Sequence, residues 1–241
     1  MTKLLLYCKI HGELHLILQA LCVLSYIYFM MFQFSFIESV TVTLLGFSFV
    51  GGIIVSAYQH RYCSHFSWKM PRILEIILAS IVPMTLSGMS MFWAAIHKEH
   101  HKYVDTERDP HGHARSLWEN LNVFNYPFAR RSIPTVLARD WLYRVQLYYY
   151  WEIAIILSIF WCMIFDWRYL ISLIALSYIY QVSLNLVGHT KKLHTRENDI
   201  LAIIWGGELY HSSHHNNWKS AKFGRYDWPY YFFIKLFSRY K

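Results

Sequence analysis

The stretch Ile73-Leu-Glu-Ile-Ile-Leu-Ala-Ser-Ile-Val-Pro83-Met-Thr-Leu-Ser-Gly88-Met-Ser-Met-Phe-Trp-Ala-Ala-Ile96, which runs straight into His97-Lys-Glu-His100-His101, decides the fold. By length it could cross a hydrocarbon core, which takes roughly 20 apolar residues. Its only charge is Glu75, but Pro83 and Gly88 interrupt it. A crossing here would put the histidines before it and after it on opposite sides of a membrane. If those histidines act together, the run lies in the membrane plane or re-enters, broken at Pro83 and Gly88.

The rest of the chain supports a membrane setting. Of 241 residues 55% are hydrophobic, 19% aromatic and only 16% charged, against about 25% charged in ordinary soluble domains. Such apolar content excludes a disordered chain, and the long uncharged runs argue against a compact soluble enzyme. Runs at 14–34, 39–58, 148–165 and 169–187 read as crossings, with aromatic belts around Tyr148–Trp151 and Trp167–Tyr169. Of 23 Lys and Arg residues only Arg168 lies at a hairpin tip. The N-terminus, residues 61–146 and the chain after 190 are therefore expected on the cytoplasmic side. The result is one all-α integral membrane domain over 1–241, with four transmembrane helices and a cytoplasmic helical cap. Cys8, Cys22, Cys63 and Cys162 form no Cys-x-x-Cys pair, and no signal peptide is expected, since His11, Glu13 and His15 stand where a cleavage site would be. Nucleic acid is not an expected partner despite the pI of 9.2.

Fourteen histidines are present. They gather as His60-Arg-Tyr-Cys-Ser-His65, His97-Lys-Glu-His100-His101, Asn185-Leu-Val-Gly-His189 and His211-Ser-Ser-His214-His215. On an α-helix positions i, i+3 and i+4 share one face, so each His-x-x-His-His trio points one way. An i, i+5 pair does not, so His60 and His65 converge only if their helix ends between them. Nine imidazoles exceed what one ion accepts, so a histidine-rich site for two metals is implied. No zinc-hydrolase signature is present, and redox-active irons beside a bilayer suggest O2 chemistry on an apolar substrate. The nearby carboxylates Glu99, Asp105, Glu107, Asp109 and Glu208 include candidates for holding the outer imidazole nitrogens, with Asp105, Asp109 and Glu208 placed first. His11, His15, His111, His113 and His194 are left outside the ligand set. A non-catalytic metal transporter would carry polar groups at mid-span, and these spans have few.

These boxes, together with the continuation His101-Lys-Tyr-Val-Asp-Thr-Glu-Arg-Asp-Pro-His111 and the segment Gly207-Glu-Leu-Tyr-His211, resemble the membrane fatty acid desaturases of the stearoyl-CoA (Δ9) type over about residues 15–240. The continuation through Asp-Pro-His separates the chain from sterol, alkane and carotenoid hydroxylases, which also use three histidine boxes. The tail Phe223-Gly-Arg-Tyr-Asp-Trp228 resembles bacterial members.

The resemblance implies a non-haem diiron enzyme that uses O2 and two external electrons to place a cis double bond in a saturated acyl chain. It carries over His60, His65, His97, His100, His101, His189, His211, His214 and His215 as iron ligands, Asn185 as a water-mediated one, and Trp93 as a tunnel wall. The chain departs from the family at Gln181-Val182, where Thr-Trp is frequent, which bears on tunnel shape and regioselectivity. It also departs at Ser212-Ser213 and at Asn216-Asn217-Trp218-Lys219. Gln181 and Trp93 are the candidate substrate-binding residues. Lacking His-Pro-Gly-Gly, the chain is expected to take electrons from a separate ferredoxin, rubredoxin or cytochrome b5 with its reductase. Substrates are acyl-CoA or acyl-lipid, with acyl-carrier protein an alternative, and Lys98, Lys102, Arg108, Arg115, Arg130, Arg131, Lys191, Lys192 and Arg196 could meet an anionic head group. Membrane lipids surround the spans, and the expected location is a bacterial inner membrane. Hydroxylation of a lipid or alkyl substrate is the competing outcome of the same chemistry.

Overall fold

The computed structural model describes residues 2–123, 126–128, 130–190, 194–195 and 197–238, with side chains from 12 onward except those of residues 130, 190, 194 and 195. Helix α1, Thr2–Phe32, contains the apolar span Gly12–Phe32. Ser35 accepts from Glu38 N and caps α2, which runs through Phe36–Ser64. The expected run 39–58 is thus the middle of a longer helix, because nothing between Tyr58 and Ser64 breaks it. From Phe47 onward α2 is wound as a π-helix.

The decisive run 73–96 is divided between two helices, α3 (Arg72–Met84) and α4 (Ser90–Tyr103). Pro83 closes the last turn of α3, and the link turns through left-handed backbone at Leu86 (φ 48) and Gly88 (φ 90). Non-helical backbone at this depth needs partners, and three buried glutamines supply them. Gln19 Nε2 donates to Leu86 O at 2.7 Å, Gln59 Nε2 to Gly88 O at 2.8 Å, and Gln146 Oε1 accepts from Ser90 N at 2.9 Å. Neither α3 nor α4 is long enough to span.

Short helices α5 (Leu117–Leu121) and α6 (Thr135–Arg139) lead to α7 (Trp141–Tyr148) and α8 (Tyr150–Ile164). The expected crossing at 148–165 begins later than read: a bend of 82° at Tyr149 leaves α8 with 15 residues. Helix α9, Trp167–Val187, starts on an Asp166 cap and forms a full-length apolar span. By length and composition three helices among the described residues can cross a membrane, or four if α7 and α8 form one bent span. Met31, Phe32, Leu45, Phe160 and Met163 are all exposed. In water they would be an adhesive surface, whereas hydrocarbon covers them.

Helix α1 lies along α9, while α2 packs against α9 and α4. Beyond α9 a two-residue ladder, β1 (His189–Thr190) with β2 (His194–Thr195), is the one sheet among the described residues, with short helices joined by turns after it. Helices α10 (Asp199–Ile204) and α11 (His211–Asn216) follow.

Candidate metal centre

Local winding brings the histidines together. In the π-wound end of α2, an i→i+5 hydrogen bond links residues one turn apart, and His65 N donates to His60 O at 3.2 Å. The helix does end at Ser64, as convergence required, but the π winding is what closes the angle: the two rings stand 5.0 Å apart. Helix α4 presents His97 and His101 one way and His100 towards α9 and α11.

The nitrogens form two sets. His60, His65, His97, His101 and His214 make the first, and His100, His189, His211 and His215 the second, with ligand atoms in each set within 4.8 Å of one another. In the first, Nε2 atoms approach to 2.8 Å for His65–His97 and to 3.0 Å for His60–His214, His97–His101 and His101–His214. In the second the separations are 3.0 Å for His189–His211, 3.1 Å for His211–His215 and 3.2 Å for His100–His215.

Carboxylates stand behind both sets. Glu208 Oε2 lies 2.7 Å from His60 Nδ1, Asp109 Oδ1 2.7 Å from His100 Nδ1, and Asp105 Oδ1 3.0 Å from His189 Nδ1. The structure therefore places the three foremost carboxylates against histidines of the two sets. Glu99 instead accepts from Ser132, and Glu107 lines a surface concavity. Burial pushes the carboxyls of Asp109 and Glu208 up to about 7, with the Arg61 charge opposing the rise at Glu208. Burial first, and neighbouring rings second, hold His97, His100, His211 and His214 well below the ordinary imidazole range. His101 falls to about 2, His65 to about 3 and His215 to about 4 for the same leading reason. Burial thus favours the neutral form of these seven imidazoles.

These rings fit bound metal. A neutral imidazole offers one N–H and one lone pair. Where Nδ1 faces a carboxylate, as in His60, His100 and His189, Nε2 turns its lone pair towards the neighbouring rings, where it can hold a cation. Neighbouring nitrogens on a metal with bonds of about 2.1 Å sit roughly 3.0 Å apart when cis, the spacing seen in both sets.

Further buried groups secure the arrangement. Arg61, fully buried, donates to Asp227 Oδ1 at 2.8 Å and to Gly206 O at 3.0 Å, and its guanidinium covers Phe223 at 3.8 Å. Gly207 has φ 82, and a Cβ there would sit 2.8 Å from Asp227 Cγ, so only glycine lets the chain turn into Glu208. Asp105 is itself left-handed at φ 58, a conformation Asp tolerates.

Sequence reasoning missed two histidines. His111 is buried, stacks on His100 at 4.1 Å and shares a potential metal-binding group with His100 and Asp109. His113 Nδ1 lies 2.9 Å from Asp105. The Asp-Pro-His continuation was the available signal for His111. His15 packs on Tyr150 and Trp151, remote from both sets. Lys191, Lys192 and Arg196, and the side chains of His11, Arg130 and His194, lie outside the described residues.

Trp93, Gln181 and Asn185 line one narrow cavity of about 40 Å³ with Val55, Ile96, Val123 and Leu184, and His97 and His111 stand at its metal-facing end. Trp93 Nε1 donates to Gln181 Oε1 at 3.0 Å. Trp93 also stacks on His97 at 5.1 Å.

Known proteins resemble this chain in sequence. The family model described as Fatty acid desaturase matches residues 38–219. Delta-9 acyl-lipid desaturase 1 of Arabidopsis thaliana is 28% identical over 198 residues, 74% of this chain and 65% of its own length. Acyl-CoA desaturase 1 of Saccharomyces cerevisiae is 29% identical over 189 residues, 69% of this chain and 37% of its own. For sn-1 stearoyl-lipid 9-desaturase of Anabaena variabilis the figures are 25% over 218 residues, 81% and 80%. The chain spans 36% and 65% of the first two Arabidopsis relatives, Delta-9 acyl-lipid desaturases 2 and 1. The family match takes in the histidines of α2 and its cap, α4, β1 and α11, and the protein belongs to the fatty acid desaturase family.

Proposed function

We propose that this protein is an O2-dependent acyl desaturase that introduces a cis double bond, of Δ9 type, into a saturated acyl-CoA or acyl-lipid. The single observation that carries this is the pair of imidazole sets beside a narrow apolar slot. The nine histidines would hold two irons, five on one and four on the other, with Asn185 reaching one of them through a water. When bound, the irons supply, with O2 and two electrons, the power to remove one hydrogen from each of two neighbouring methylenes, with release of two waters. Everything else is the work of the chain.

Aliphatic C–H bonds are inert, so placement of the chain matters most. Val55, Ile96, Val123 and Leu184 exclude water from the acyl chain, while the Trp93–Gln181 hydrogen bond fixes one wall of its path. Asp105, Asp109 and Glu208 hold imidazole protons outward and lone pairs inward. Four crossings, with α7 and α8 forming a bent third, would put both termini and the cap in the cytoplasm of a bacterial cell, where a ferredoxin, rubredoxin or cytochrome b5 delivers electrons. The test is the acyl profile of membranes from cells expressing the protein with an active reductase. New cis-monounsaturated chains support the reading, hydroxy-acyl chains indicate a hydroxylase instead, and an unchanged profile defeats both.

A further inference from the structure

The first histidine set is also the floor of a concavity that the acyl slot does not use. His65, His97 and His101 line a cavity of about 630 Å³, open to the outside, with Lys98, Lys102, Arg131 and Trp218 around them. Lys98, Lys102 and Arg131 are exposed, and none pairs with a carboxylate among the described residues. Trp218 is 44% exposed, yet its ring centroid lies 5.7 Å from that of His65. Lys219 Nζ stands 5.2 Å from the Trp218 ring. An exposed tryptophan that touches a metal-binding imidazole and is ringed by cations serves no packing purpose.

The acyl head group has another place to go. The slot wall includes Val123, and its chain neighbour Asn122 lines a separate concavity with Arg108 and Arg115. That concavity also holds Glu107 and Glu119, the latter 2.7 Å from Arg115, so Arg108 is the cation it offers an anionic head group.

We propose that this concavity is the docking surface for an acidic one-electron carrier protein, with Trp218 as the aromatic anchor nearest the first histidine set. The inference rests on the desaturase reading. Each turnover takes two one-electron transfers: the reduced carrier is oxidised, the iron pair is reduced by the same electron, and no bond breaks in the step. Acidic side chains of the carrier would face Lys98, Lys102, Arg131 and Lys219, steering its approach, while Trp218 fills the desolvated centre of the contact.

The experiment uses the iron-loaded full chain in lipid nanodiscs, with an acidic [2Fe–2S] ferredoxin and a rubredoxin as probes. Trp218→Ala is expected to weaken binding of the productive carrier by about thirtyfold, the effect of losing an aromatic hot spot. Lys102→Glu, on an exposed position that folding does not need, is expected to slow association about tenfold at low salt and flatten its salt dependence. In both variants the KM for carrier rises and that for the acyl substrate does not. Unchanged carrier affinity and salt slope in both variants overturns the proposal, as does a rise in the acyl KM alone, which would assign the concavity to the head group. Wild-type protein whose iron is reduced by dithionite but which binds neither carrier also overturns it. Wild-type protein that holds no iron defeats the desaturase reading itself.

Discussion

The two histidine sets are built from the same side chain but face different worlds. The first has five imidazoles with one carboxylate behind it, Glu208, and opens on a wide cationic concavity. The second has four, two carboxylates behind it, Asp105 and Asp109, and a further imidazole, His111, stacked against it. Asn185 and His111 line the apolar slot, but the set histidine that lines it is His97, a member of the first set. The first set thus meets both the cationic concavity and the apolar slot, while the second is enclosed by carboxylates and His111. His97, which lines both cavities, is the hinge between the two.

The largest expected effect tests whether the sets are separate sites. His100→Ala removes a ligand from the second set and His65→Ala one from the first; each should abolish unsaturated product and lower iron from about two to about one per chain. Iron counted by plasma emission on purified protein checks this. Retained product in either variant breaks the ligand assignment, and loss of both irons in each would show that the two sets form one inseparable centre.

How far this arrangement could be read in advance depended on the kind of interaction. Helical spacing made each His-x-x-His-His trio legible as one arc, but not its division: His97 and His101 serve the first set and His100 the second, while His211 and His215 serve the second and His214 the first. The break in 73–96 was legible because Pro83 and Gly88 carry backbone rules with them. By contrast, Gln19, Gln59 and Gln146, which satisfy that break, come from three distant elements, and no local pattern marks them. The π winding that joins His60 to His65 was also hidden, since it depends on packing against α4 and α9 more than on propensity. The bend at Tyr149 lay inside an aromatic cluster that reads as an interfacial belt.

Arg61 distinguishes the first flank next. It is the largest fully buried side chain, bound to Asp227 and 3.6 Å from Glu208, and nothing comparable supports the second set. Arg61→Leu strands Asp227 as an uncompensated buried charge and should cost about 3–5 kcal/mol of stability. A thermal melt in detergent measures it. A shift equal to that of a surface substitution would show that the first flank does not depend on this pair.

Smaller changes reach the outer carboxylates. Glu208→Gln should lower metal affinity at the first set, and Asp109→Asn at the second, each by roughly 10–100-fold. Titration against a competing chelator reads the loss, and it should fall on one metal per variant. Equal loss from both metals in either variant would erase the distinction between the flanks.

The smallest expected effect lies at the slot. Gln181 accepts the indole N–H of Trp93 at 3.0 Å, and its own amide donates to Ser177 O at 3.2 Å. Gln181→Leu keeps the volume but removes the acceptor, leaving the half-buried indole N–H unpaired at a cost of about 1–3 kcal/mol. Trp93 then gains freedom to rotate from its stack on His97. The wall that fixes the acyl chain loosens, while both histidine sets keep every ligand. Product should therefore persist with a broader spread of chain lengths or double-bond positions, read by mass spectrometry of cleaved products, and iron content should be unchanged. A variant with a wild-type product spread would show that Trp93 is held by packing alone. Loss of iron would instead show that the Trp93 stack holds His97 in place as a ligand.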